Sequence, residues 1–419
     1  MFNRKEVIIC LTAFFLFLSS DNLFGQTRRK SFMEEKNEIY EKTKIKIGPF
    51  RIYPLIKFKD IGYDDNVYYQ PANPVKDYTA TLSPDINLYL LFKNRIIFSF
   101  LENPEYMYYV NEKKYSSFNN SFTARLKFLM SKFSLSGQYS YKNVRYRPTT
   151  EFEYRIRYIE NSYLATVGYQ TARRTSFEIE AFERKITFED ELYKEEFYLP
   201  RILNRTEDSL ALSVYYRIFS ETFFFLKSDY VKYIFDFEES QCRNSESYSF
   251  KTGFLFPEIG SLKGKFSLGY KKLQRYRVGE KKFEGLVGDT NLTFRIYRFL
   301  LRADYLRNCF FSYRIESFYF VEDRYGGGLS FYLSRNIRLD YYYRIGYLNY
   351  PESSEVRSGL ELMEIQRKDR IILQSGAVVF RLIENIGLGI SFNLWEWKSN
   401  VLRGDRKRCF IGGYLTYEF

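Results

Sequence analysis

The amino-acid sequence predicts an all-β fold, a single transmembrane antiparallel up-and-down β-barrel of about 18 strands, within a range of roughly 16 to 20. Aromatic residues make up 20% of the chain, with 40 Tyr and 42 Phe, and this composition favours strands. Apolar and polar residues alternate along most of the chain, and short and long connections alternate between the strand-like stretches. Beyond the first residues there is no long apolar run, so a bundle of membrane-spanning helices is excluded.

The alternation is clear in the stretch YTATLSPDINLYLLF, which begins at Tyr78. Leu82 and Ile86 lie on one parity, and Ser83 and Asp85 lie on the other. Successive side chains of a strand point to opposite faces. Such a strand therefore has one apolar and one polar face, as the wall of a membrane barrel requires.

Connections of two lengths separate these stretches. Short ones fall near residues 93, 171, 220, 257, 297, 334 and 384, and longer polar stretches cover residues 143–157, 187–207 and 349–367. Short periplasmic turns that alternate with long extracellular loops are typical of outer-membrane barrels. A secreted soluble all-β protein, built as tandem sandwiches or a solenoid, is the alternative architecture. The hairpins favour the barrel, because they continue without a domain boundary or a fixed repeat period.

Three segments are predicted along the chain. Residues 1–25 form a signal peptide, because Arg4 and Lys5 precede an apolar run and Gly25 offers a small residue for cleavage. Residues 26–48 form a periplasmic N-terminal segment, which is either a disordered lead or a plug for the lumen. Residues 49–419 form the barrel.

The formal net charge of +13 indicates an anionic partner. For an exported chain the candidates are lipid headgroups, acidic glycans or anionic solutes, and nucleic acid is not expected. The strand phases place a set of basic side chains inside the barrel, together with Arg370 on a later strand. The set comprises Arg125, Lys127, Lys263, Lys265, Arg295, Arg302, Arg338 and Arg344.

An excess of Lys and Arg inside a pore favours anions. The alternative is that Arg302 with Asp304, and Arg338 with Asp340, pair across strands and brace the wall. Two functions therefore stay open. One is a channel for small or anionic solutes or glycans, and the other is a structural or assembly barrel with a closed lumen.

The residue composition argues against catalysis. The chain contains no histidine, so the histidine-dependent chemistry of lipases, acyltransferases and proteases is not available. We predict no enzymatic activity, no cofactor and no metal. Cys242, Cys309 and Cys409 are either isolated thiols or include one bridge.

Two short motifs resemble known signals. In GPFRIYPLIKFKDIGYDDNVYY, residues 48–69, the core Gly62, Tyr63, Asp64, Asp65 and Asn66 resembles the first-strand motif of the putative β-barrel porin 2 family. The resemblance implies an outer-membrane barrel, and some members of that family accompany exopolysaccharide export. From the residues alone, the motif either shapes a turn and binds the barrel's own backbone, or holds a cation with its oxygens.

The last residues, GGYLTYEF, alternate in strand phase, with Leu415, Tyr417 and Phe419 on one parity. They resemble the C-terminal signal of bacterial outer-membrane proteins, which implies recognition by the barrel-assembly machinery. A closed barrel also needs a complete last strand to pair with the first. Aromatic residues near strand ends are expected to face lipid, among them Tyr139, Tyr141, Tyr341, Tyr343 and Tyr417.

Overall fold

Antiparallel strands pair in chain order around a single sheet, and the last strand pairs with the first long one. The computed structural model describes residues 32–92, 95–149, 151, 155–171, 174–189, 193–194, 197–219, 221–256, 260–275, 282–312, 317–358, 361–401 and 404–419. The predicted signal peptide lies outside these residues.

The elements are as follows. The strands are β1 (Ile45–Ile47), β2 (Phe50–Asp64), β3 (Asp77–Phe92), β4 (Ile96–Glu102), β5 (Glu105–Tyr109), β6 (Ser117–Leu129), β7 (Phe133–Tyr146), β8 (Ile156–Gln170), β9 (Thr175–Phe188), β10 (Tyr193–Lys194), β11 (Phe197–Tyr198), β12 (Arg205–Arg217), β13 (Phe223–Phe235), β14 (Ser245–Phe256), β15 (Leu262–Arg275), β16 (Phe283–Ile296), β17 (Phe299–Phe311), β18 (Tyr319–Tyr332), β19 (Ile337–Ser358), β20 (Glu361–Ile383), β21 (Ile386–Ser399) and β22 (Arg406–Glu418). The helical elements are the N-terminal helix (Phe32–Lys42), a short helix (Leu199–Leu203) and two 3₁₀ turns (Lys113–Tyr115 and Glu238–Arg243).

The wall of the barrel has 18 strands, which confirms the predicted fold class. β4 and β5 are two pieces of one wall strand, because both pair with β3 on one side and with β6 on the other. β1 only extends the edge of β2, and β10 with β11 forms a separate small hairpin. No helix in the described ranges is long and apolar enough to cross a membrane.

The two faces of the wall differ as the alternation predicts. On β22, Ile411 and Tyr417 are exposed on the outside, whereas their chain neighbours Phe410 and Glu418 are buried on the inside. Residues that are paired across strands share a face. Tyr139 pairs with the exposed Tyr163, so it lies on the outer face. The other aromatic residues predicted to face lipid also lie there, namely Tyr141, Tyr341, Tyr343 and Tyr417.

Short and long connections alternate around the barrel and so define two ends. The short-turn end includes residues 130–132, 297–298 and 333–336, and the long-loop end includes residues 65–76, 147–149, 151, 155 and 236–244. One of the long loops predicted from the sequence is mostly strand in the structure. Residues 349–367 mostly continue the β19–β20 hairpin, because its pairing resumes after a register shift between Asn349 and Ser353.

Candidate functional site

All eight predicted pore-lining basic residues lie on the inner face of the wall. Arg125 pairs with Ser99 and Gln138, and Arg302 pairs with Thr293 and Gly328, all of them inward positions. Lys127, Lys263, Lys265, Arg295, Arg338 and Arg344 have inward pairing partners in the same way. Most of the eight lie within a few residues of a short turn. They therefore surround the short-turn half of the lumen, and their effect on passing ions stays a prediction.

Arg370 does not belong with them, and its predicted inward position is wrong. It pairs with Tyr347 and Lys398 on the outer face. A strand assignment that is shifted by one residue moves every side chain to the opposite face, which explains the error.

The partners of the eight basic residues are mixed. Lys265 pairs with Asp289 at 2.7 Å, and Lys127 pairs with Glu35 of the N-terminal helix. Other members contact neutral groups. Arg125 donates a hydrogen bond of 2.8 Å to the Gln138 side chain. Three more members follow one or the other pattern: Arg344 donates to the Tyr342 hydroxyl at 3.0 Å, Arg295 lies over the Tyr332 ring at 5.6 Å, and Arg338 pairs with Asp340 at 2.8 Å.

One of the two predicted cross-strand pairs, Arg338 with Asp340, forms along a strand instead. Arg338 and Asp340 both belong to β19, so their ion pair runs along one strand. Asp304 accepts a hydrogen bond of 2.6 Å from the Tyr342 hydroxyl. A tyrosine therefore links Asp304 of β17 to Arg344 of β19.

One part of the inner face, which we call the balanced wall, comprises the inward residues of β2–β9, β12 and β13. Its acidic and basic side chains pair closely. Glu207 accepts from Arg184 at 2.6 Å and from Arg205 at 2.7 Å. Further pairs are Lys57 with Asp85, Lys59 with Glu105 at 2.5 Å, Lys142 with Glu160 at 3.0 Å, and Lys227 with Glu180 at 2.6 Å.

The basic wall comprises the inward residues of β14–β19. Its basic members are Lys251, Lys263, Lys265, Lys271, Arg275, Arg295, Arg302, Arg324, Arg338 and Arg344. Its acidic members are Asp289, Asp304, Glu322 and Asp340. Basic side chains therefore outnumber acidic ones on this side of the lumen, and the surplus positive charge faces inward.

The N-terminal helix packs inside the short-turn end of the lumen. Phe32 and Ile39 form an apolar cluster with Ile97 and Leu129, which point inward from β4 and β6. The helix also binds the wall through Glu35 and Lys127. The described part of the segment predicted to be periplasmic therefore lies inside the lumen and contacts its wall.

The loop between β7 and β8 folds inward at the long-loop end. Arg147 lies with its guanidinium carbon 3.1 Å from the centre of the Tyr69 ring and 5.6 Å from that of Trp395 on β21. Glu151 of the same loop is fully buried and accepts a hydrogen bond of 2.6 Å from Ser312, at the end of β17. Because β17 and β21 both lie across the barrel from β7, this loop crosses the lumen.

The sequence did not identify this loop as a lumen element. It indicated only a long polar stretch at residues 143–157. The contacts of Arg147 and Glu151 depend on which strands stand opposite β7. The pattern of residues along the chain does not indicate which strands face each other across the barrel.

The motif at residues 62–66 closes the seam between β2 and β22. A Cβ atom at Gly62 would overlap the carbonyl oxygen of Ile411, so only glycine allows this close approach. Asp64 accepts two hydrogen bonds of 2.8 Å from Arg408. Asp65 accepts from the backbone N–H of Cys409 at 2.6 Å.

The rest of the motif supports the same reading. The Asn66 side chain donates to the carbonyl oxygen of Lys407 at 2.8 Å. Tyr63 pairs with Ile411 on the outer face. The motif thus binds the barrel's own first and last strands, and the Asp64 carboxylate is engaged by Arg408. Among the described residues, no group of three or more Cys, Asp or Glu side chains is arranged to hold a metal ion.

The three cysteines of the described ranges, Cys242, Cys309 and Cys409, are free thiols, so the isolated-thiol alternative holds for them. The C-terminal residues Leu415 and Tyr417 pair with Phe58 and Ile56 of β2. The backbone N–H of Phe419 donates to the carbonyl of Pro54 at 3.4 Å. The last strand therefore completes the wall, and its recognition as an assembly signal stays a prediction.

The family described as putative beta-barrel porin 2 matches residues 38–416 of the chain. No curated protein matches it. Among solved structures, OpdQ of Pseudomonas aeruginosa is similar at a TM-score of 0.48 and 10% identity, covering 89% of this chain and 98% of that one. OpdK of the same organism gives 0.48 and 9%, covering 88% and 98%. The siderophore receptor PirA of Pseudomonas aeruginosa gives 0.45 and 8%, covering 88% and 80%.

Proposed function

Because the chain belongs to the family described as putative beta-barrel porin 2, an outer-membrane β-barrel family, we propose that it passes small anionic solutes through its lumen. The observation that supports this proposal is the basic wall, where inward Lys and Arg outnumber inward acids. Rings and stripes of basic side chains inside a pore attract anions and repel cations.

The positions of the charges along the lumen set the order in which an entering anion would meet them. We take the long-loop end to face the outside and the short-turn end to face the periplasm, as in other outer-membrane barrels. An entering anion then meets the β7–β8 loop first and the basic residues near the short turns afterwards. The low-dielectric wall of the barrel strengthens their field in the lumen.

Conductance of the purified barrel in a planar bilayer tests the proposal. Under a salt gradient we expect a reversal potential of anionic sign. The triple variant Lys263→Glu, Lys265→Glu and Arg302→Glu should weaken or reverse that sign, because three inward positive charges become negative. Lys272→Glu is the matched control, since it changes the same charge on the outer face of β15. A parent barrel that selects cations would refute the proposal.

A second function is supported by two other observations. The N-terminal helix and the β7–β8 loop both occupy the lumen. These contacts favour a structural or assembly barrel with a closed lumen, of the kind that accompanies exopolysaccharide export.

Deletion of residues 32–42 separates the two functions. If the helix restricts a channel, the deletion raises conductance, because the Phe32 and Ile39 contacts are removed from the lumen. Lys127→Glu should give a smaller rise by breaking the pair with Glu35, and Glu35→Lys in the same chain should restore the parent value. A barrel that is silent with and without the helix supports the assembly role.

A further inference from the structure

The surroundings of the β7–β8 loop contain an arginine cluster that the conduction proposal does not use. We define it as Arg147, Arg155 and Arg408 together with the rings of Tyr69, Tyr109 and Trp395. Tyr69 is the centre of the cluster. The guanidinium carbons of Arg147 and Arg408 lie 3.1 and 4.7 Å from the centre of this one ring.

Two of the three arginines have charged or polar partners in the wall. Arg408 donates two hydrogen bonds of 2.8 Å to Asp64. Arg155 donates to the Tyr109 hydroxyl and lies near the half-buried Asp60. The nearby Lys59 is paired with Glu105 at 2.5 Å. The acidic groups of this region are therefore matched by Arg155, Arg408 and Lys59.

Arg147 is the surplus charge. Within the described part of the chain Arg147 makes no ion pair, and its side chain contacts the Tyr69 and Trp395 rings. Burial lowers the pKa of Arg147, Tyr69 and Asp64 oppose this effect, and repulsion from Arg408 and Arg155 adds to it. A guanidinium nevertheless stays charged near neutral pH. The loop thus holds a positive charge in the lumen at a free-energy cost that an anion would relieve.

The side chain is also accessible. Arg147 is only half-buried, and it belongs to a loop that crosses the lumen rather than to the packed wall. Its planar group offers several N–H donors in a fork that matches carboxylate and phosphate oxygens.

We propose that the arginine cluster is a binding site for an oxyanion, a carboxylate or phosphate group on a solute that enters from the long-loop end. Arg147 provides the free donors, and Arg155 adds positive charge. Cation–π contacts with Tyr69 and Trp395 hold the Arg147 guanidinium in place, and they occupy none of its N–H donors. The site goes beyond conduction, because binding requires no ion flow.

The two tryptophans of the chain are natural reporters. Trp395 contacts Tyr69 at 4.3 Å between ring centres, and Trp397 lies 5.6 Å from Trp395. The chain has 2 Trp in all, so its tryptophan fluorescence comes from this region. Titrations of the detergent-solubilised full chain use sodium phosphate, sodium glucuronate and glucose at constant ionic strength.

We expect a saturable fluorescence change with phosphate, with glucuronate or with both, and none with glucose. A response to glucuronate alone identifies a carboxylate on a sugar, and a response to phosphate alone identifies a free oxyanion. No saturable response to either anion would overturn the proposal. Because no current is measured, a silent barrel that binds anions refutes only the conduction proposal.

Variants locate the site. Arg147→Gln should weaken binding about tenfold or more, as expected for the loss of a charge-assisted hydrogen bond. Arg147→Lys keeps the charge without the planar fork and should lose less. Arg174→Gln, in an exposed short turn at the opposite end, is the matched control and should bind as the parent does. Unfolding curves check that each variant folds. Equal binding by Arg147→Gln and the parent would place the anion elsewhere and refute the assignment.

Discussion

On the balanced wall one carboxylate, Glu207, accepts hydrogen bonds from both Arg184 and Arg205, whereas on the basic wall Lys251 stands directly opposite Lys227. Lys227 has its own partner, Glu180, at 2.6 Å, so Lys251 is left with the more distant Asp229 and Asp289. Charged side chains thus have different roles on the two walls. Paired charges brace the balanced wall, and surplus charges set the potential of the lumen on the basic wall.

The two walls belong to one closed cylinder only because β22 pairs with β2, so the largest effect is expected at that seam. Deletion of residues 415–419 removes the pairing of Leu415 and Tyr417 with Phe58 and Ile56. Unpaired backbone groups in lipid cost several kcal/mol each, so we expect assembled barrel in the outer membrane to fall by about an order of magnitude or more.

Membrane fractionation with quantitative immunoblotting measures this outcome. Phe419→Ala distinguishes pairing from recognition of a terminal signal, because it keeps every strand pair. A loss as large as that of the deletion supports the signal, and a mild loss supports pairing. Parental levels of the deleted chain would contradict both.

Within the balanced wall, Glu207→Gln is expected to be strongly destabilising. It leaves Arg184 and Arg205 without their shared carboxylate, and removal of one partner from a buried ion pair typically costs about 3 kcal/mol or more. Urea unfolding of the detergent-folded barrel measures the change. Glu178→Gln is the matched control, because its described hydrogen bond is a single one of 3.3 Å from Tyr215. Equal losses in the two variants would mean that the pairs of this wall are not what stabilises it.

On the basic wall, Lys251→Gln should have little effect on stability. It removes one of two like charges that face each other across β13 and β14, so the free energy of unfolding should stay within about 1 kcal/mol of the parent or rise. Anion preference in a bilayer should decrease at the same time. A loss of stability as large as that of Glu207→Gln would remove the distinction between the walls.

The smallest perturbation tests which face each residue occupies. In a chain with its native cysteines replaced by alanine, Tyr139→Cys should react with a lipid-soluble maleimide and Ser136→Cys with a water-soluble one. Tyr139 shares the outer face with Tyr163, and Ser136 shares the inner face with Lys127. The reversed labelling pattern would mean that the inner and outer faces of the wall are assigned the wrong way round.

The sequence by itself determined the strands, their two faces and the alternation of short and long connections, because each depends on a period of two residues and on local turn chemistry. It therefore placed the eight basic residues on the inner face, and it failed for Arg370 where one shift of phase reversed the assignment. It also found the first-strand motif, although not its partner Arg408, which is 344 residues away in the chain.

Only the tertiary structure decided which charges are paired and what occupies the lumen. Lys227 meets Glu180 from a strand that is not its neighbour, and Arg147 reaches Trp395 across the barrel. Curvature of the wall brings inward side chains of non-adjacent strands into contact, and a long loop reaches across the lumen. The N-terminal helix shows the same limit, since its Phe32 and Ile39 become lumen contacts only when β4 and β6 present Ile97 and Leu129 to them. Neighbours along a strand follow from the order of residues, whereas neighbours across a lumen follow from the number of strands and the register at which the sheet closes.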